Sequence, residues 1–327
     1  MYSKVCIILI AFWSVALSVC PPKESLSPCT CFNDNIYCQG KDDLDLLKVF
    51  ERLSENTTQK HFYELNVNNA KIKELEENCL KGFTFEVIWI YDCPELTTIN
   101  RNAFNETTLV TKDLQIYGNP KLSSPDNSIF EVLSKFKRVE YIYLGQSNIT
   151  EIPSEAFKPV NGNQDHLINI HINSTSLAKI GERAFFHLNS LNFIQISNTN
   201  IQTIPANAFA FEKVSNQSLT IRFYSDQFLD KYNFAKDAFT QIKRPVTLDM
   251  SNKEAFLDER VFLPFLLENS KNAIISDHLF DCDDCRNFWL RKNSTLQTRI
   301  KNLKCLNKKN FNDSSNFKNC PSLFQFE

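Results

Sequence analysis

Glycine is the first thing in short supply. The chain of 327 residues holds six, too few and too scattered to build a phosphate-cradling loop. None of G-x-S-x-G, H-E-x-x-H, the P-loop pattern or G-x-G-x-x-G occurs. Histidine is nearly as scarce. Of His61, His166, His171, His187 and His278 only His166 and His171 lie close in sequence, and no nucleophile is placed to use either as its base. Charge of one sign is also missing: a net charge of −2 gives no pull towards nucleic acid or an anionic membrane. Beyond the first residues no apolar run approaches the ~20 residues needed to span a bilayer, and the charged C-terminus lacks the hydrophobic tail of a lipid-anchor signal. These absences exclude the common hydrolase, phosphotransfer and dinucleotide chemistries. They predict a protein that is not an enzyme, needs no cofactor and holds no metal.

Phenylalanine, by contrast, is abundant, with 28 residues, and its placement is regular. The stretch LNFIQISNTNIQTIPANAF, residues 191–209, spaces Leu191, Ile194, Ile196, Thr199 and Ile201 as the L-x-x-L-x-L-x-x-N-x-L core of a leucine-rich repeat, with Thr in the Asn place. The period of two puts Ile194 and Ile196 into a core and Gln195 and Ser197 onto an open face. Thr199, where the chain leaves the strand, can bond backbone groups of the adjacent turn. Ile204 and Phe209 close the unit on the far side.

One such unit cannot bury its own apolar face, so recurrence is the test. The closing pair recurs at Cys79-Leu80, Ala103-Phe104, Ile129-Phe130, Ala156-Phe157, Ala184-Phe185, Ala208-Phe209, Ala238-Phe239 and Val261-Phe262, at spacings of 24, 26, 27, 28, 24, 30 and 23. Strand pairs keep step: Leu65/Val67, Ile88/Ile90, Leu114/Ile116, Ile142/Leu144, Ile170/Ile172, Ile194/Ile196, Ile221/Phe223 and Leu248/Met250. The expected fold is α/β, a leucine-rich-repeat solenoid with a parallel concave sheet.

The ends differ from the array. Residues 1–18 run from Lys4 through an apolar Val5–Val15 to Ala16-Leu17-Ser18, which predicts a secretory signal peptide cut after Ser18 and hence a secreted, extracellular product. Removing it removes Cys6 and leaves ten cysteines, an even number suited to an oxidising compartment. Four of them (Cys20, Cys29, Cys31, Cys38) precede the repeats and four (Cys282, Cys285, Cys305, Cys320) follow, where disulfide-stapled caps would cover the apolar ends of a solenoid. A zinc site on Cys282-x-x-Cys285 and a thioredoxin-like redox site there are both set aside, the second because no βαβ unit precedes it. Cys79 and Cys93 fall at inward positions, which leaves two readings open: two buried inert thiols or one small internal disulfide. Leu44, Leu47, Phe50 and Leu53 predict a helix over 42–54 capped by Asp42 or Asp43. The organisation expected is a signal peptide over 1–18, a cysteine cap plus helix over 19–60, about eight repeats over 61–270 and a second cysteine cap over 271–327.

Seven N-x-S/T triplets, at Asn56, Asn105, Asn148, Asn173, Asn216, Asn293 and Asn312, are candidate glycan acceptors. Cys93 takes the N position of its repeat, and the other N positions hold Ala70, Asn119, Ser147, Thr175, Thr199 and Asp226, less regular than an Asn run. On the open face, alternation places Asn66, Trp89, Tyr91, Gln115, Tyr117, Tyr141, Tyr143, His171, Gln195, Arg222 and Tyr224. Trp, Tyr and Arg are the residues enriched at interface hot spots. The candidate binding set is therefore Trp89, Tyr91, Tyr117, Tyr141, Tyr143, His171, Arg222 and Tyr224, with a stripe expected through Trp89, Tyr91, Tyr117 and Tyr143. The alternative for any one ring is cross-strand filling of the sheet.

Several stretches carry a family resemblance: CPP…PCTC…C, the helix DLLKVFERL, the entry HFYELNVNNAKIKEL, the limb NAF and the ending DCDDCRNFWL. Over essentially the whole mature chain these resemble arthropod secreted proteins related to the non-catalytic subunit of luciferin 2-monooxygenase. More distantly the chain is similar to the repeat-and-cap modules of Slit-type and chaoptin-type proteins. The resemblance implies pairings Cys20–Cys31 and Cys29–Cys38 in one cap and Cys282–Cys305 and Cys285–Cys320 in the other. It also implies a non-catalytic binding protein for an extracellular protein or glycan ligand, or else the stabilising subunit of a secreted enzyme. No residue reads as a luciferase contact, so a role in bioluminescence is not carried over.

Overall fold

A computed structural model describes residues 20–159, 165–174, 176–224, 233–250, 257–276 and 279–320. The expected signal peptide, Thr175, Asp226 and His278 lie outside the described residues. One twelve-stranded sheet organises the fold. Its strands are β1 (Thr30–Phe32), β2 (Asn35–Asp43), β3 (His61–Lys71), β4 (Thr84–Tyr91), β5 (Asp113–Tyr117), β6 (Tyr141–Gly145), β7 (Asn169–Asn173), β8 (Phe193–Ser197), β9 (Leu219–Tyr224), β10 (Val246–Asp249), β11 (Ala273–Ile275) and β12 (Ile300–Lys301). They lie side by side in chain order. The first pair is antiparallel and every later pair is parallel. The chain is a leucine-rich-repeat solenoid closed by disulfides at both ends.

The register explains why the repeat is regular. Leu65 aligns with Ile88, Ile88 with Leu114, Leu114 with Ile142, Ile142 with Ile170, Ile170 with Ile194, Ile194 with Ile221 and Ile221 with Leu248. All are buried, so a one-residue slip would turn the whole inward row to solvent. The row extends past the eight expected units, to Ile36 before it and to Ile274 and Ile300 after it. The caps thus continue the sheet as well as covering its ends. One expected pair is half right: β10 stops at Asp249, and Met250 lies beyond it.

Behind the sheet the return limbs stack their phenylalanines. Phe157, Phe185, Phe209 and Phe239 follow one another at centroid separations of 6.0, 5.6 and 5.7 Å with rings within 20° of parallel. Two limbs are helical where a turn serves elsewhere: α2 (Ser128–Lys135) carries Ile129 and Phe130, and α3 (Glu259–Glu268) carries Val261 and Phe262. The early helix, α1 (Leu46–Asn56), starts later than expected. Asp43 is still in β2, paired with Lys71, and Asp45 is the cap, its carboxylate accepting the Lys48 N–H at 3.1 Å. α1 buries Leu46, Val49, Phe50 and Leu53, and Phe50 reaches Phe83 and Phe85 at 5.3 and 5.8 Å.

At some of the turns after the strands a buried polar side chain serves backbone that water cannot reach. Asn119 accepts the Cys93 N–H at 3.0 Å and donates to the Ile90 carbonyl at 3.1 Å. In the repeat of Thr175 the neighbour Ser174 is buried and donates to the Ser147 carbonyl at 2.8 Å. Disulfides join Cys20 to Cys31, Cys29 to Cys38, Cys282 to Cys305 and Cys285 to Cys320. No internal disulfide joins Cys79 to Cys93, which corrects one of the two readings open for them: both are buried free thiols. They serve different backbone partners, Cys79 the Ala103 carbonyl at 3.4 Å and Cys93 the Tyr91 carbonyl at 3.4 Å, because one lies on a return limb and the other at a strand exit.

Candidate functional site

The outward residues of the sheet fall into three rows. The first aligns Glu64, Val87, Asp113, Tyr141, Asn169 and Phe193, and the second aligns Asn66, Trp89, Gln115, Tyr143, His171, Gln195, Arg222 and Asp249. The third aligns Asn68, Tyr91, Tyr117, Gly145, Asn173, Ser197 and Tyr224.

The rings form a chain that changes row as it crosses the sheet. Tyr91 and Tyr117 stack at 5.0 Å with an interplanar angle of 6°. Tyr117 meets Tyr143 at 5.2 Å although Tyr143 belongs to the middle row. That contact depends on Gly145, the third-row residue of β6, which leaves the Tyr143 ring room to lean outward. His171 then lies 5.2 Å from Tyr141, 6.4 Å from Tyr143 and 5.1 Å from Phe193. The Arg222 guanidinium sits 5.1 Å above the Phe193 ring, and its Nε donates to Asp249 at 2.7 Å. Amides fix the phenol ends: Asn68 donates to the Tyr91 hydroxyl at 2.6 Å and Asn173 to the Tyr143 hydroxyl at 3.4 Å.

Of the residues expected to bind, Tyr91, Tyr117, Tyr143, Tyr141, His171 and Arg222 are in this chain. Trp89 is not part of the ring stripe. It stands between Asn66 and Gln115 in register, and its buried indole N–H is felt by Asp113 as a donor without a hydrogen bond of normal geometry. Tyr224 is 45% exposed and stands beside Ser197 in register. Phe193, Asp113, Asp249 and Gly145 were not among the expected residues. The same period-two count that places Gln195 outward would have found Phe193. Nothing in the sequence marks Gly145, because its importance lies in where another side chain rests.

Three rings of the chain are biased towards their neutral forms. Burial, then the Arg222 charge, holds His171 below its ordinary value. Burial raises Tyr117 and Tyr141, with Asp113 adding to the second. Asp113 itself is raised by burial and by Glu64, against the lowering effect of the Gln115 and Trp89 donors. The arrangement is a half-buried aromatic strip bordered by carboxylates on one side and an Arg–Asp pair on the other. It offers ring edges and phenol tips to a ligand, because many ring faces already cover one another. Among the described residues no group of His, Cys, Asp and Glu could hold a metal ion, and no helix is long and apolar enough to cross a membrane. Asn56, Asn105, Asn148, Asn216, Asn293 and Asn312 are exposed, whereas Asn173 is half-buried on the strip itself.

No protein-family model matches the chain. It is similar to the non-catalytic subunit of Oplophorus-luciferin 2-monooxygenase from Oplophorus gracilirostris, with 22% identity over 310 residues, covering 86% of this chain and 82% of that protein. Among solved structures, the glycosylated form of the Drosophila Toll–Spatzle complex aligns over 83% of this chain with a TM-score of 0.39 and 13% identity. This chain spans 41% of that one, a likeness too loose to bear on function.

Proposed function

We propose that the protein is a secreted, non-catalytic binding protein that takes a protein or glycan ligand on the concave strip running from Tyr91 to Arg222. The observation carrying this reading is the continuity of that strip over six neighbouring strands, rings from β4 to β8 and then the Arg222 cation on β9. Large, rigid side chains with polar tips give contact area at low entropic cost, and concave sheets are where solenoids bind. The four disulfides support an oxidising, extracellular destination. The exposed sequons are proposed to carry glycans, and 19–60, 61–270 and 271–327 to be the first cap, the repeat array and the second cap.

A second reading, the stabilising subunit of a secreted enzyme, is favoured by the similarity to a subunit whose name states that it is non-catalytic. One experiment weighs both. The tagged protein is cross-linked in its native secretion beside the variant Y91A/Y117A/Y143A, and captured proteins and glycans are identified by mass spectrometry. A ligand held by the native chain and lost by the variant supports the strip as the site. Capture equal in both sinks that assignment. A co-purifying enzyme retained by the variant points to the second reading through another surface.

A further inference from the structure

Charge is balanced over the whole chain but not along it. Residues 286–320 hold nine Lys and Arg against one acidic residue, Asp313, an excess of +8 in a protein of net −2. Some of these cations are used internally. Arg286 pairs with Asp284, Arg291 donates to the Asn316 carbonyl at 2.8 Å, and Arg299 donates to the carbonyls of Leu266 and Asn269. Lys304, Lys308, Lys309 and Lys318 are left exposed, and none forms an ion pair among the described residues. Two of them meet at one turn: Lys309 Nζ donates to the Ser315 hydroxyl at 2.6 Å, the Ser315 N–H donates to Asp313 at 2.8 Å, and Lys318, nine positions on, acts on the same carboxylate. The cluster has a firm mount. Disulfides fix Cys305 and Cys320, buried Phe311 and Phe317 pack at 5.4 Å, and Asn316 donates to the Asn310 carbonyl at 2.8 Å.

We propose that this lysine cluster on the C-terminal cap is a docking surface for a sulfated polysaccharide. Four exposed ammonium groups on a disulfide-fixed cap suit a linear polyanion, and K-rich runs such as KNLKCLNKK, residues 301–309, are a known form of such patches. Nucleic acid fits less well, because among the described residues of the cap Phe288, Phe311 and Phe317 pack on one another rather than standing open to bases. An anionic bilayer also fits less well. Leu306 is the single large apolar side chain exposed among the described residues of the cap, and disulfides belong to compartments that the anionic cytoplasmic leaflet does not face.

The test uses the full glycosylated protein on immobilised heparin. The native chain should be retained at physiological salt, and K304Q/K308Q/K309Q/K318Q should bind at least tenfold more weakly. The control K48Q/K121Q/K158Q/K179Q, which removes the same charge from elsewhere on the chain, should bind as the native chain does. Acetylation footprinting of the native protein gives a reading that needs no variant: heparin should protect these four lysines. The proposal is overturned by native protein that flows through, by equal loss in the control, by unprotected lysines, or by stronger binding to phosphatidylserine vesicles or DNA than to heparin.

Discussion

Tyr143 rests against the backbone of Gly145, two residues along its own strand. A Cβ at position 145 would lie 3.1 Å from both the Cζ and the hydroxyl oxygen of that ring, and 3.2 Å from the Asn173 carbonyl. The aromatic strip therefore turns on a missing side chain.

The substitution Gly145→Val should push the Tyr143 ring back over its own row and end its contact with Tyr117. The expected sign is a changed near-UV circular dichroism spectrum with loss of about 1 kcal/mol of stability, the usual scale for a point substitution. An unchanged aromatic spectrum would show that the ring does not need the space.

Removing Tyr117 breaks two ring contacts at once. Each such pair is worth about 0.5–1.5 kcal/mol beyond its buried area. Double-mutant cycles between Tyr117 and each neighbour should give coupling in that range by urea denaturation, and zero coupling would show that the rings merely lie side by side.

Arg244 is a buried cation, 2% exposed, that donates to the carbonyls of Leu191 and Asn189 and lies 4.4 Å from the Phe211 ring. It ties residues more than fifty positions apart, and burial lowers its affinity for a proton. Arg244→Ala leaves those carbonyls without their donor and opens a cavity, so a loss of about 3–5 kcal/mol is expected in chemical denaturation. Arg244→Met, which fills the space, should lose less.

Burial pushes the Cys79 thiol up to about 12 and the Cys93 thiol up to about 11, so neither forms thiolate at neutral pH. Iodoacetamide at pH 8 should leave the native protein unmodified and add two groups per chain in denaturant. Labelling of the folded chain would contradict their burial.

His171 gives the pH dependence. Its folded value lies below the ordinary 6.5, so the unfolded chain takes up a proton first as pH falls. Stability should be level above about pH 6.5 and decline below it, and His171→Gln should flatten that decline. The midpoint of urea unfolding from pH 8 to pH 5 reads it directly.

Much of the scaffold was legible because it is periodic. Inward aliphatics every second residue, repeated every two dozen or so, specify register, and Leu65 through Leu248 align as counted. What escaped was set by fit across repeats. The cap of α1 moved to Asp45 because β2 runs on through Asp43 to pair with Lys71, a tertiary pairing that overrides a local cap signal. Trp89 left the stripe because its register partners, Asn66 and Gln115, carry no ring, and the rings cross to the middle row only at Tyr143, where Gly145 leaves room. Cys79 and Cys93 are both inward, but inwardness does not bring two sulfurs together when they belong to different corners of the repeat.

The disulfides close loops separated by only 11, 9, 23 and 35 residues, all at the two ends. No covalent tie crosses the repeat array between them. Under tension the molecule is thus two inextensible knots joined by a spring of nearest-neighbour contacts. Extension should fall on the repeats while both ends keep their shape.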